Sequence, residues 1–434
     1  ITNGKSRGVR LVGIGILAAL TACGSEDDTA ASGGASASAT EADTESQSGG
    51  DASATTSNGS AGTVSATDSS TGSSEDETTT GEDEDSGSTS TDTAHDDSST
   101  GNDSADDNAD SADPTGNDDG PSVICEAPGN IQPCDADTND PFRAIGLNCP
   151  GQPDEIIPIF NQSFSSIDPN AWKIARGLGS YVNPNTNELL FSATEGEQFL
   201  FISSGRIENP NANGIIQQSY RSISNSNPSQ PLPAPMSPAH GSNNGLGGTP
   251  FVNCDLINDC SDSLQQQWTA GNGAANDLLW FQFETQVPGG THGFTFDFAY
   301  FSVEFTNYIG TTFNDMFVVW SNSETYTGNL CFINDQPCTV TALGVDPWNP
   351  QQLYTESSIE LIDTGFYGWN GGGTGWFEAK GSAAPGESLQ LTWAIFDMGD
   401  TVLDTAVIID NFQWDCEGCT PSEVNPCGIR PIPT

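Results

Sequence analysis

Positive charge is scarce in this sequence. Ten Lys and Arg stand against 59 Asp and Glu in 434 residues, a formal net charge of −49. So acidic a surface is repelled by phosphate backbones and anionic headgroups, which argues against nucleic acid and against direct electrostatic docking on lipid; it attracts divalent cations. Histidine is equally rare, with His95, His240 and His292 the only three. None lies in a nucleophile motif and no pair has zinc-site spacing, so neither a recognisable Ser-His-Asp hydrolase nor a zinc hydrolase is indicated. The glycine-rich stretch Gly365 to Trp376 (GFYGWNGGGTGW) has no lysine after its glycines and does not match a phosphate-cradling loop. Its Tyr367, Trp369 and Trp376 are instead candidates to stack on sugar rings, against the plainer reading that they pack inward.

Residues 24 to 120 lack Leu, Ile, Met, Phe, Trp, Tyr, Lys and Arg, and carry 25 Asp and Glu. Without apolar surface to bury, such a segment cannot offset chain entropy and reads as a disordered, self-repelling acidic linker. As a flexible coil it would span roughly 50 to 60 Å. The charge divides into +3 for residues 1–23, −25 for the linker and −27 for residues 121–434.

The first residues show what holds this stalk. Lys5, Arg7 and Arg10 precede Leu11 to Leu20 (LVGIGILAAL), an apolar run suited to a signal peptide and shorter than the about 20 residues of a membrane-spanning helix. The run ends in Leu20-Thr21-Ala22-Cys23, which resembles the lipobox of bacterial lipoproteins. The expected organisation is therefore a signal peptide over 1–22, a lipidated Cys23 opening a stalk over 23–120, and a folded part over 121–434. The partner implied is the membrane, reached through several acyl chains on Cys23, and the expected place is the bacterial outer membrane or cell surface.

Eleven cysteines leave ten once Cys23 is assigned to lipid, enough to pair evenly in an oxidising compartment. Close spacing suggests local loops at Cys254 with Cys260 and Cys331 with Cys338. Three lie near the start of the folded part (Cys125, Cys134, Cys149) and three near its end (Cys416, Cys419, Cys427), so one bridge between those ends is needed if all ten pair this way. The Cys416-Glu-Gly-Cys419 spacing has no second pair or nearby His to make a zinc site.

Within 121–434 the pattern is strand after strand: Gln198 to Ser203, Leu278 to Val287, Gly293 to Val303, Asp315 to Ser321, Ser358 to Ile362, Thr374 to Lys380, Glu387 to Phe396 and Asp404 to Trp414. Phe294, Phe296, Phe298 and Tyr300 alternate with Thr295, Asp297 and Ala299, the period of a half-buried strand. One short helix is expected over Asp262 to Ala270, with Asp262 as its cap. Five prolines between Pro228 and Pro238 mark a long surface insertion. The expected fold is mainly β, an antiparallel sandwich of jelly-roll type.

Several pieces together resemble a known family. AIGLNCPG at Ala144 to Gly151, the Cys254 to Trp268 region with its QQW, and NDLLWFQFETQVP at Asn276 to Pro288 come first. FDFAYFSVEF and FNDMFVVW follow within Phe296 to Trp320, then GTGWF at Gly373 to Phe377 and AIFDMGDTVLDTAVIIDNF at Ala394 to Phe412. In order and spacing, residues 144–416 are similar to the choice-of-anchor L domain of exported bacterial surface proteins. The resemblance implies a surface location and this fold, and carries no reaction.

The same signature holds the candidate site. Glu304 ends one strand and Asp315 begins the next, so a hairpin of paired neighbours would bring Glu304, Asn314 and Asp315 to one rim. Asp397, Asp400 and Asp404 gather likewise between the last two long strands, and Asp410 precedes Asn411 further on. Three readings compete. Asp and Asn are common turn residues. A calcium ion takes six to eight oxygen ligands of this kind, making Ca2+ the one cofactor implied. Two carboxylates flanking a bond are also what a glycosidase needs. Asp135-Ala-Asp137-Thr-Asn139-Asp140 lacks the glycine and distal Glu of an EF-hand and reads as a solvated turn. The function expected first is a non-catalytic cell-surface lipoprotein for recognition or adhesion of an extracellular glycan or protein ligand. An exported hydrolase or carbohydrate-processing enzyme is the alternative, and a passive coat component the third.

Overall fold

The computed structural model describes residues 124–129, 131–219, 226–305, 307–333, 335–345, 353–419 and 427–432. The expected signal peptide, Cys23 and the stalk lie outside them. Among the described residues no helix is long and apolar enough to cross a membrane.

The strands in chain order are β1 (Phe160–Ser166), β2 (Trp172–Ala175), β3 (Gly177–Val182), β4 (Leu189–Ser192), β5 (Phe199–Ser203), β6 (Ile215–Ile216), β7 (Asn276–Gln286), β8 (Gly293–Ser302) and β9 (Met316–Asn322). They continue with β10 (Thr327–Asn329), β11 (Phe332–Ile333), β12 (Gln336–Pro337), β13 (Leu353–Tyr354), β14 (Gly372–Thr374), β15 (Phe377–Ser382), β16 (Ser388–Asp397), β17 (Thr405–Asp415) and β18 (Gly428–Pro431). Two short helices, α1 (Leu264–Ala270) and α2 (Val340–Val345), complete the regular structure with 3-10 turns at Arg143–Ile145 and Ile359–Leu361.

The fold is mainly β, as expected, and does not close into a barrel. One sheet has the order β1-β7-β16-β9-β10; a larger one runs β13-β14-β8-β17-β5-β2, with β15 also on β8 and β18 on β15. Both are antiparallel throughout. Their facing sides share one core, in which the ring of Phe298 meets Phe317 at 5.5 Å and Phe296 meets Trp393 at 5.6 Å. Trp393 is fully buried and stacks on Phe281 at 4.9 Å and Phe283 at 5.2 Å. Each such aromatic pair contributes about 0.5–1.5 kcal/mol beyond the area it buries.

The alternation in β8 implied one oily face, but both are buried. Phe294, Phe296, Phe298 and Tyr300 enter the central core, whereas Ala299 and Phe301 enter a second core with Phe199, Phe201 and Ile408. That outer face is covered by the small sheet β4-β3-β6, through Leu178, Phe191 and Ile216. The other sheet's outer face is covered by α1 and by the proline-rich connection. Leu264, Met236, Trp320 and Phe396 form a third cluster there, so the connection is a lid on the sheet rather than only a surface insertion.

Other expectations are corrected. Ser358 to Ile362 is a 3-10 turn, closed by Leu361 N–H to Ser358 O at 3.1 Å, because of its apolar residues only Leu361 is fully buried while Ile359 is exposed. The expected strand over Thr374 to Lys380 is two pieces, β14 and β15, lying end to end along β8. Asp262 does not cap α1, whose Ser263 N-cap makes no side-chain cap bond. Asp259 does that work: its carboxylate accepts Leu264 N–H at 3.0 Å, Ser261 Oγ at 2.7 Å and Asn329 N–H at 2.9 Å. Nor is Asp135 solvated. It is 1% exposed and its Oδ2 accepts the backbone N–H groups of Glu197, at 2.7 Å, and Gln198.

Four disulfides form: Cys125–Cys416, Cys134–Cys149, Cys254–Cys260 and Cys419–Cys427. The first is the bridge between the two ends that the count required. Cys331 and Cys338, expected to pair, are buried free thiols just outside the β11-β12 hairpin. Burial pushes both thiols up, which disfavours the thiolate needed for disulfide exchange.

Candidate carboxylate site

The expected hairpin between β8 and β9 does not exist. β8 belongs to the larger sheet, beside β17, and β9 to the five-stranded sheet, beside β16. The chain thus changes sheets between Ser302 and Met316, and again between Asp397 and Thr405. The registers place these four strand ends together, since Phe396 pairs with Met316 and Thr405 pairs with Ser302. Glu304, Asp315, Asp397 and Asp404 therefore gather at one rim of the sandwich, by sheet crossing rather than by hairpin pairing.

The contacts are direct. Asp315 N–H donates to Glu304 Oε2 at 3.4 Å. Asp315 Oδ1 accepts Met398 N–H at 3.0 Å and its Oδ2 accepts Thr405 Oγ1 at 3.0 Å. Tyr300 Oη donates to Asp315 O at 3.2 Å, anchoring the crossing to the core. Asp397 lies beside the side chains of Asp315, Asp404 and Ser204, and no backbone N–H reaches either of its oxygens.

All four side chains are buried: Glu304 and Asp315 are 1% exposed, Asp397 and Asp404 0%. No described Lys, Arg or His makes an ion pair with Glu304, Asp315 or Asp397. Burial, then the like charges of Asp397, Asp400 and Asp404, push the Glu304 carboxyl up to about 9. Asp315 is held well above the carboxylate range by burial and Glu304, and Asp397 by burial, Asp315 and Asp404. These shifts favour the neutral, protonated forms of Glu304, Asp315 and Asp397. Among the described residues no group of three or more His, Cys, Asp or Glu side chains is arranged to hold a metal ion.

Not every expected ligand joins in. Asn314 is spent on structure: its Nδ2 donates to Thr311 O and Gln267 Oε1, and its Oδ1 accepts Thr341 Oγ1. Asp400 is half-exposed, accepting Val402 N–H. Asp410 is in mid-β17, where it accepts Thr194 N–H at 2.7 Å, Glu195 N–H at 3.0 Å and Asn411 N–H at 2.8 Å. Asp277 was not expected. It is the second residue of β7, next to Asn276, which pairs with Asp397, and its Oδ2 is buried and unbonded. The only sequence signal was an Asp at the start of a long apolar strand.

The aromatic trio divides. Tyr367 and Trp369 are 48% and 52% exposed, whereas Trp376 packs edge-on against Phe199 at 6.4 Å. The glycines beside them serve packing, since a Cβ on Gly372 would lie 2.3 Å from the Phe305 ring and one on Gly373 would lie 2.6 Å from the Phe301 ring.

No family model, curated protein or solved structure matches this chain.

Proposed function

We propose that this chain is a non-catalytic surface lipoprotein of the choice-of-anchor L kind, whose sandwich is presented for recognition or adhesion and is locked by a calcium ion at the rim. Export, lipid anchoring and display rest on the leader, the Leu20-to-Cys23 motif and the acidic stalk. Calcium rests on one observation: the buried carboxyl groups of Glu304, Asp315 and Asp397 converge with no described Lys, Arg or His paired to them, and no backbone N–H reaches either oxygen of the fully buried Asp397. These hard oxygen donors match Ca2+, which prefers carboxylates over nitrogen or sulfur ligands. Glu304, Asp315, Asp397 and Asp404 would hold it, with their side chains turned inward. The bound ion would supply the positive charge that the cluster lacks and would tie both sheet crossings together. The exposed Tyr367 and Trp369 are the proposed glycan-stacking surface.

The hydrolase alternative asks Glu304 and Asp315 to reach a glycosidic bond, and their 1% exposure opposes it. Titrating calcium into chelator-treated protein tests the proposal. A calorimetric heat that disappears in Asp397→Asn, with a melting temperature raised in wild type only, is expected. An unchanged melting curve and no heat would sink it.

A further inference from the structure

A second acidic feature lies away from the rim, where the segment after Cys125 crosses β17. There, Pro128, Ile131, Glu195, Phe412, Gln413 and Trp414 line a cavity of about 230 Å³. Cys125–Cys416 and Cys134–Cys149 pin the crossing segment, and Phe412 is held by rings on both sides, stacked on Phe294 at 5.5 Å and edge-on to Trp414 at 5.7 Å. Its β17 wall follows a bulge, where the register with β8 slips between Asp410 and Gln413. The slip turns Gln413 toward the same opening as Phe412 and Trp414.

The ionisable group lining this cavity is Glu195. Its backbone is anchored by the N–H bond to Asp410, but its buried Oε2 accepts no hydrogen bond. The charged groups around it are acidic. Asp135 lies on the segment side and Asp410 on the strand side, while the nearby Arg176 is engaged by Glu197, Asp137 and Ala136 O. No described Lys, Arg or His pairs with Glu195. A carboxylate and an indole ring lining one cavity are the pair that recognises alkylated ammonium, which gains both an ion pair and a cation–π contact.

We propose that this cavity binds an organic ammonium group, its charge on Glu195 and its carbon substituents against Trp414, Phe412 and Ile131. The site is independent of the rim cluster and of calcium. Burial and Asp135 push Glu195 up to about 7, so binding strengthens as pH rises through neutrality and the carboxylate forms.

The test uses the full chain, calorimetry and the Trp414 indole N–H resonance, with three probes: tetramethylammonium, the peptide acetyl-Gly-Lys-Gly-amide, and neutral tert-butanol. Tetramethylammonium should shift Trp414 and bind roughly tenfold more tightly at pH 8 than at pH 6, and Trp414→Leu should weaken it by roughly tenfold. Glu195→Gln should remove most of the affinity and all of its pH dependence. Binding of the cation without the peptide assigns the site to free small amines; binding of both assigns it to a lysine of a protein ligand. Equal binding of tert-butanol in wild type, no binding of either cation, or unchanged affinity in Glu195→Gln overturns the proposal. The wild-type comparison of probes holds even where a variant fails to fold.

Discussion

Raising the pH of calcium-free protein should loosen the sandwich, and calcium should remove that dependence. In the folded chain Glu304 titrates at about 9, against 4.5 for the unfolded chain. A carboxyl so raised keeps a proton in the folded state that the unfolded chain has already released, so stability is full below about 4.5 and is lost as pH rises toward 9. Between pH 4.5 and 7.5 the loss from this one group is about 4 kcal/mol, at about 1.4 kcal/mol per unit. For a folded part of this size, at about 2 °C per kcal/mol, the melting temperature should fall by roughly 8 °C. Differential scanning calorimetry in chelator, from pH 5 to 8, reads this directly, with Glu304→Gln as the variant in which the Glu304 share of the slope disappears. Repeating the series in about 5 mM calcium, above the about 0.1–1 mM range of extracellular calcium modules, should flatten the slope by keeping the cluster ionised and paired. Identical slopes in wild type and Glu304→Gln, with and without calcium, would refute the cluster energetics.

Two further outcomes are expected. Asp259→Ala leaves the N–H groups of Leu264 and Asn329 without an acceptor inside the protein and should cost about 3–5 kcal/mol, measured by denaturant unfolding; Asp259→Asn, which keeps an acceptor oxygen, should cost less. Alkylation without reductant, read by peptide mass spectrometry, should leave Cys331 and Cys338 untouched in native protein and label both once it is unfolded. A 331–338 disulfide in that experiment would show that the free thiols are wrong.

The long strands were legible because aromatic and aliphatic residues recur in β7, β8, β16 and β17 over ten or more positions. The polar edge strand β1, FNQSFSS, and the glycine-bearing β3, GLGSYV, carry no such pattern and were missed. Which strand pairs with which is a long-range property. β8 pairs with β17 about 100 residues later, so local sequence could place Glu304 and Asp315 at one rim but not say that two sheet crossings put them there. Asp259 and Glu195 were invisible for the same reason: the groups that give them meaning, Asn329 and Asp410, lie far along the chain. Asn314 and Asp410 fit an oxygen-ligand pattern equally well in sequence, and only their hydrogen-bond partners remove them from the cluster.

The Cys125–Cys416 bridge has a mechanical consequence. It joins cysteines 291 positions apart and so closes nearly the whole sandwich into one covalent ring. A pull applied to the chain on the two sides of the bridge, before Cys125 and after Cys416, passes through the sulfurs and bypasses every strand from β1 to β17. Such a load cannot peel the sheets apart one strand at a time, and about 100 nm of contour length stays locked until the bridge is reduced. Under tension between the two ends of the chain the element that bears the load is then a covalent bond, and not the fold.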